Sequence, residues 1–174
     1  MSIYNCKHCV FEQVGVDNSQ FKINGSAITD SDGAYNNWNI SIIRNTTLPE
    51  RLLLLSSVLQ DNLTNTTIQT ATNGTNGTLV STSDKLFLGA NKEFGKTSYS
   101  RTEENNALTT WSYWVSHTLA NEHIKYDTTN TASEYWTRSP ANNNKTNMLY
   151  VNSSGNFNVA TANDIKNISL CFAF

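Results

Sequence analysis

Tyr135-Trp136-Thr137-Arg138-Ser139-Pro140 is the stretch that decides the fold, because it joins two aromatics, an arginine and a proline in a chain otherwise rich in Asn, Thr and Ser. Three short apolar runs follow it, at 149–151, 157–160 and 168–174. The last run alternates between two faces, and neither face carries a charge, which predicts a central strand buried on both sides. One face would carry Ile168, Leu170, Phe172 and Phe174. We therefore predict one domain over residues 1–174, closed by this strand, with Trp136 and Leu52 packed against it.

The composition predicts a folded domain with a neutral polar surface. The chain has 174 residues, of which 38% are hydrophobic and 10% aromatic, enough for one core. Only 15% are charged, against roughly 25% in typical soluble proteins. Asn, Thr and Ser replace the missing charge. Such a surface favours a protein that works outside cells or inside a packed assembly.

Charge and hydropathy exclude two classes of partner. The net charge is -2, the sequence pI is about 5.9, and no Lys/Arg cluster is present, so we do not expect nucleic-acid binding. No apolar run reaches the length of a membrane span, and the start of the chain lacks a secretory signal pattern. We therefore expect neither membrane insertion nor conventional secretion.

The three cysteines are Cys6, Cys9 and Cys171, and their odd number argues against a disulfide framework. Cys6-Lys7-His8-Cys9 could be half of a zinc site, a redox pair, or a structural feature without chemistry. We favour the structural interpretation, because no second C-x-x-C is present. Cys171 is interpreted as a small buried residue. We expect no metal and no cofactor.

Two helices are predicted. The first spans Leu48–Leu63, with Thr47 as N-cap, Pro49 in the first turn and Glu50 completing a capping box. Its apolar stripe consists of Leu52, Leu55, Leu59 and Leu63. The second helix spans 105–119, and its Trp and Tyr residues form either core or a ligand-stacking surface. We favour core.

The remaining segments are predicted to be strands and loops. Residues 1–34 form a divergent N-terminal β segment with a hairpin turn at Asn24-Gly25. Residues 64–82 form strand edge and loop, and residues 83–89 form a compact apolar strand. Together with the helices, these segments predict an α+β fold.

The chain carries no recognisable catalytic motif. His117 and His123 are six residues apart, which does not place two ligands on one helix face, and no nucleophile elbow or phosphate loop is present. We therefore do not expect an enzyme. Arg138 could clamp a carboxylate or phosphate, or it could form a partly buried ion pair with Asp84 or stack on an aromatic ring. We favour a structural role.

Several motifs together resemble a bacterial and phage domain family of unknown function. The family has a D-K-(V/L)-F-L-L-S strand, then W-W-L-R-S-P, then V-(N)-x-x-G. Here the matching segments are 84–88, 135–140 and 150–155, and Ser41-Ile42-Ile43-Arg44 matches part of an earlier one. The match covers roughly residues 35–174. The resemblance marks as structural-motif residues Asp84, Trp136, Arg138, Ser139, Pro140 and Gly155. The chain departs from the family at Tyr135 and in its last strand, which lacks the usual Arg-Pro.

The resemblance implies a C-type-lectin-like fold, similar to that of formylglycine-generating enzymes. Such a fold has a twisted antiparallel sheet, one or two helices and long loops that carry binding. The calcium-lectin tripeptides E-P-N, Q-P-D and W-N-D are absent, so calcium-dependent sugar binding is not expected. The cysteine pair of a formylglycine enzyme is not evident either.

We interpret the chain as a non-enzymatic display module on a phage virion, such as a capsid decoration, head-fibre or tail receptor-binding component. The expected location is the virion surface or the extracellular space. Expected partners are other virion proteins, a host-surface glycan or protein, and a second copy in a homo-oligomer. The predicted contact loop contains Asn142, Asn143, Asn144, Lys145 and Asn147. The alternatives are a formylglycine-enzyme-like catalytic or cofactor-binding protein, and a secreted cellular adhesin.

Overall fold

A computed structural model describes residues 3–4, 37–72, 78–127, 129–142, 146–162 and 164–174. Its strands are β1 Ile3–Tyr4, β2 Thr66–Ala71, β3 Leu79–Asp84, β4 Phe87–Leu88, β5 Lys125–Tyr126, β6 Ala132–Ser133, β7 Tyr135–Pro140, β8 Asn147–Val151, β9 Phe157–Thr161, β10 Asn167–Ile168 and β11 Leu170–Ala173. Its helices are α1 Leu48–Leu54, α2 Ser57–Asn62, α3 Thr102–Ala107 and α4 Ser112–Ser116. Short 3-10 turns lie at Trp38–Ile40 and Ala120–His123, and a π-helical turn at Ile43–Thr47 precedes α1.

The α+β class is confirmed, but the strands form several small sheets instead of one. In the described part of the chain, the largest sheet has the order β10-β7-β8-β9 and the next has the order β1-β11-β4. The pairs β2–β3 and β5–β6 form two-stranded sheets. Among the described strands, pairing is antiparallel except between β10 and β7, which run parallel. The segment 64–82, predicted as strand edge and loop, contains β2 and the first part of β3, which pair antiparallel.

The C-terminal run is divided at Ser169 between two sheets. Ile168 pairs with Trp136 of β7, whereas Leu170 pairs with Leu88 of β4. Strand β11 lies between β1 and β4, so its predicted central position is correct. Burial on both sides along the whole run is wrong, because the terminal Phe174 is 50% exposed. The change of sheet also breaks the predicted face alternation.

The predicted helix 48–63 is two helices. Leu55 is extended, and the Ser56 hydroxyl accepts a hydrogen bond from the Leu59 N–H at 3.3 Å, which starts α2 as a new helix. Thr47 has helical dihedral angles and makes no side-chain capping bond, so the predicted capping box is wrong. The π-helical turn already runs into α1, and therefore no free helix end exists at Thr47.

The predicted helix 105–119 is also divided. Helix α3 ends at Ala107, and the next residue, Leu108, is extended. The chain then forms hydrogen bonds to a turn that is distant in sequence. The Trp111 N–H donates to the Glu93 carbonyl at 3.0 Å, and the Thr110 hydroxyl donates to the Lys92 carbonyl at 3.1 Å. These long-range bonds replace the continuous helix ladder.

The main core packs helix side chains against the sheets. Leu52, Leu55 and Leu59 are half-buried and pack against it, as their stripe predicted. Its buried members are Trp38, Ile43, Leu48, Leu63, Ile68, Leu86, Phe87, Leu88, Trp136, Met148, Ala162, Ile168 and Cys171. Burial of such apolar surface is the dominant stabilising term.

Candidate functional site

All six residues of β7 are buried, and Arg138 sits in the middle of the strand with no exposed surface. Its five guanidinium N–H groups all have acceptors. Nη1 and Nη2 each donate to one carboxylate oxygen of Glu93 at 2.6 Å. The remaining acceptors are the Leu88 and Gln69 carbonyls and the Thr70 hydroxyl. A buried cation is tolerated when it is paired and hydrogen-bonded in this way.

Glu104 of α3 extends the same buried network. One of its carboxyl oxygens accepts from the Ser139 hydroxyl, and the other accepts from the Ala71 N–H at 3.2 Å. Burial raises the pKa of Glu104 to about 7, although the Ser139 hydrogen bond and the nearby Arg138 charge act in the opposite direction. The Ser139 hydroxyl also accepts from the Asn91 N–H at 2.9 Å.

This network assigns Arg138 a structural role. The structural interpretation favoured from sequence agrees with the geometry, but the predicted partner, Asp84, is wrong. The partner is Glu93, which lies 45 residues upstream. Asp84 pairs with Arg44 at 2.9 Å, and it also accepts from Trp38 Nε1 at 3.4 Å and from the Thr82 hydroxyl at 2.7 Å. The Asp84 and Arg44 motif segments therefore meet each other, away from Arg138.

The other structural-motif residues hold turns and strands in place. Trp136 is buried in the main core, and Pro140 pairs with Met148 across β7 and β8 after a register shift. Gly155 has φ +80°, and a Cβ atom there would meet the Ala120 carbonyl. Only glycine fits this combination of dihedral angle and close backbone approach.

The predicted contact loop is the connection between β7 and β8. Asn142 is exposed, and Asn147 lies at the start of β8. The Ala141 N–H donates to the Asn147 carbonyl at 3.1 Å, which closes the base of the loop. Asn143, Asn144 and Lys145 lie outside the described residues. Two of the five predicted contact residues are therefore located, at the two ends of one anchored loop.

Tyr99 lies beside this loop and was not predicted from the sequence. The Asn142 N–H donates to the Tyr99 carbonyl at 2.6 Å, and neighbouring Ser100 bridges Ala141. Tyr99 has φ +65°, and the residue is 58% exposed. A bulky residue in this left-handed region is uncommon and costs about 1 to 3 kcal/mol. Sequence patterns do not reveal such a residue, since tyrosine normally avoids this conformation.

An aromatic cluster surrounds His123, which is fully buried. The imidazole stacks on Trp114 with ring centroids 4.3 Å apart, and it meets the Phe157 ring edge-on at 5.0 Å. Neither ring nitrogen has a hydrogen-bond partner among the residues the structure describes. Burial, together with the positive charges of Lys96 and Lys125, lowers the pKa of His123 to about 4. The prediction that the tryptophans belong to the core is correct for Trp114, which is buried. The predicted stripe along one helix is wrong, because α3 and α4 are separate helices.

The described residues contain neither a cluster of metal-ligating side chains nor a membrane-spanning helix. Within these residues, no three His, Cys, Asp or Glu side chains are grouped as metal ligands would be. None of the helices described is both long and apolar enough to cross a bilayer. Cys6, Cys9, the predicted β segment 1–34 apart from β1, and its Asn24-Gly25 turn lie outside the described residues. Cys171 is a free, buried thiol.

The fold and these contacts define an α+β domain that is tied together by a buried ionic network and presents loops at its surface. Residues 24–168 match the model of the family described as "Domain of unknown function (DUF6273)", and the chain belongs to that family. No curated protein and no solved structure matches the chain. The resemblance to a domain family of unknown function is thereby confirmed.

Proposed function

We propose that this chain is a non-enzymatic, C-type-lectin-like display module of a phage virion surface, as a capsid decoration, head-fibre or tail receptor-binding component. Its contact with host-surface glycans would be made by the Tyr99 ring together with the amides of the loop that begins at Asn142. Other virion proteins, and further copies of the chain, would hold the module on the particle.

The observation that carries this proposal is the conformation and exposure of Tyr99. Backbone strain at an exposed aromatic residue persists only where the surrounding structure holds it, and such strain concentrates at binding sites. Here two backbone contacts keep Tyr99 in this conformation: the hydrogen bond from the Asn142 N–H to the Tyr99 carbonyl, and the β-bridge between Ser100 and Ala141.

We call the surface formed by the Tyr99 ring and the loop that begins at Asn142 the Tyr99 edge. Its chemistry suits a sugar. An exposed aromatic face can stack on the apolar face of a pyranose ring, and neighbouring amides can bond its hydroxyl groups. The neutral, amide-rich surface of the chain matches an uncharged ligand better than a charged one.

Two alternatives use the same domain differently. A formylglycine-enzyme-like protein would need an accessible group with a shifted pKa, whereas Glu104 has no exposed surface. A secreted cellular adhesin would use the same Tyr99 edge. Immunogold labelling of purified phage particles, with and without the gene for this chain, distinguishes a virion component from an adhesin.

The glycan contact is tested by binding the purified chain to a glycan array and to host cells. Tyr99→Asn removes the ring but keeps a residue that tolerates the left-handed region. We expect at least a tenfold loss of binding, equivalent to about 1.4 kcal/mol, with unfolding stability retained or raised. Asn142→Ala should weaken binding as well.

Tyr126→Ala is the matched control, because Tyr126 is another exposed tyrosine and lies on β5. It should bind like the wild type. If Tyr99→Asn and Asn142→Ala both bind as well as the wild type, the Tyr99 edge is not the glycan contact. Unchanged host adsorption after alanine substitution from Asn142 to Asn147 would exclude the loop.

A further inference from the structure

A second candidate site is an open cavity of about 220 Å³ between α1 and the connection from β3 to β4. Leu48, Leu52 and Leu86 contribute apolar surface to it, whereas Arg44, Ser83 and Lys85 contribute polar groups. Ligand pockets for drug-sized molecules are usually larger, about 300 to 1,000 Å³. The cavity therefore suits a group of side-chain size.

The charges at this cavity leave an excess of positive charge. The Asp84 carboxylate is engaged by Arg44, through the Nε–Oδ2 contact at 3.1 Å and the Nη2–Oδ1 contact at 2.9 Å. The Thr82 hydroxyl adds a third donor to this carboxylate. Arg44 and Asp84 thus neutralise each other, and Lys85 remains as the unbalanced charge of the cavity lining.

Lys85 is also held in place with donors to spare. Its Nζ donates to the Gln60 carbonyl of α2 at 2.8 Å. An ammonium group has three N–H donors. Among the described residues, Lys85 uses one of them, in the hydrogen bond to Gln60. The side chain is thereby oriented while two N–H groups stay available. The neighbouring Ser83 hydroxyl, on an exposed residue, is a further donor at the same rim.

We infer that this cavity binds a carboxylate carried on a short apolar group, with the carboxylate on Lys85 and Ser83 and the apolar part against Leu48, Leu52 and Leu86. A charge-assisted bond to an ammonium favours an anion, and the leucine surface favours a branched aliphatic group over a sugar or phosphate. Such a ligand can be a free branched-chain acid or the C-terminal residue of another protein chain. This site is separate from the Tyr99 edge and does not depend on it.

The test is an NMR titration of the full chain, following the backbone amide signals of Ser83, Lys85 and Leu86. Three probes are used: isovalerate, acetyl-Ala-Ala-Leu with a free carboxylate, and the same peptide as its C-terminal amide. We expect saturable shifts at these signals with carboxylate probes and none with the amide. Shifts with isovalerate as well as the peptide acid assign a free acid, and shifts with the peptide acid alone assign a chain terminus.

Lys85→Met keeps the apolar stem and removes the charge, so the carboxylate probes should bind roughly ten- to hundredfold more weakly. Lys92→Met is the matched control outside the cavity and should bind as the wild type does. Ser83→Phe, at an exposed residue, should block the cavity mouth without unfolding the chain, and it decides the result if Lys85→Met fails to fold. The inference is overturned if no carboxylate probe shifts these signals at millimolar concentration, if the amide binds equally well, or if neither variant weakens binding.

Discussion

Arg138 and Glu93 form a bidentate ion pair in the interior, with both N–O distances at 2.6 Å and the arginine wholly buried. The pair joins the middle of β7 to the turn after β4. Because the arginine has no unused N–H group, its function is to fix these two segments relative to each other. The loops on either side, including Tyr99 and Asn142, are attached to that fixed frame.

Removing one partner of this pair should be strongly destabilising. Glu93→Gln keeps the shape but removes the carboxylate that pairs directly with the buried Arg138 charge, and we expect a loss of about 3 to 5 kcal/mol in the free energy of unfolding. Urea unfolding at pH 7 measures it. Glu134→Gln is the matched control: Glu134 pairs with Lys166 at 2.7 Å but is 42% exposed, so about 1 kcal/mol or less is expected. Equal losses for the two variants would contradict the structural role of Arg138.

Glu104 should make stability fall as the pH rises. Its pKa is about 7 in the folded chain against an ordinary value of 4.5, so the folded state binds more protons between these two pH values. The stabilisation is complete below about pH 4.5 and is lost as the pH rises through about 7, by roughly 3 kcal/mol. Glu104→Gln imitates the protonated carboxyl and should abolish this slope. The measurement is the difference in unfolding free energy between variant and wild type from pH 4.5 to 8. A difference independent of pH would contradict the raised pKa.

His123 should make stability rise as the pH rises, opposite to the effect of Glu104. Its pKa is about 4 in the folded chain against an ordinary value of 6.5, so the unfolded state binds more protons between these two pH values. Stability from the neutral imidazole is complete above about pH 6.5 and is lost as the pH falls toward 4, by roughly 3 kcal/mol. His123→Phe fills the same aromatic space and should remove this loss of stability at acid pH.

The His123 experiment has a matched control in His117→Phe, since His117 is only half-buried and stacks on Tyr113. That variant should keep the acid loss of the wild type. The Glu104 and His123 slopes oppose each other between pH 4.5 and 6.5, so each single variant should uncover the slope of the other group. Identical pH profiles for His123→Phe and the wild type would show that the imidazole is not buried in this way.

Gly155→Ala should destabilise the chain by about 3 kcal/mol or more, because the added methyl group meets the Ala120 carbonyl and the backbone has φ +80°. Gly95→Ala is the control. Gly95 has a similar φ of +78°, but its nearest atom, the Trp114 carbonyl oxygen, is 3.2 Å from the new Cβ. We expect about 1 kcal/mol there. Thermal or urea unfolding measures both, and equal effects would show that the close approach to Ala120 contributes nothing.

The helix predictions show where local sequence rules stop. Leu52, Leu55 and Leu59 pack against the core as their stripe predicts, yet the helix breaks at Leu55. Ser56 can cap a new helix, and serine favours such caps over helix interiors. The stripe could be predicted because it depends on spacing along the chain. The break could not, since it depends on which local hydrogen bonds the surrounding core permits.

The sequence predicts a loop after Pro140 but not the contacts around it. An exposed loop follows from the polar residues there, and Asn142 and Asn147 lie at its ends. The partner of Arg138 could not be predicted, because Glu93 and Asp84 are equally plausible from their spacing. The position of Tyr99 beside Asn142 depends on a backbone conformation that tyrosine rarely adopts.

By itself, the sequence determined the α+β class, the central place of the last strand in its sheet and the burial of Trp136. These features follow from composition and from the alternation of apolar residues, which act over a few neighbouring positions. Only the tertiary structure decided that Arg138 pairs with Glu93, that the C-terminal run changes sheets at Ser169, and that Tyr99 meets Asn142. The physical reason is that such contacts join residues far apart in sequence, so they depend on how the whole chain fills its interior and satisfies its buried polar groups.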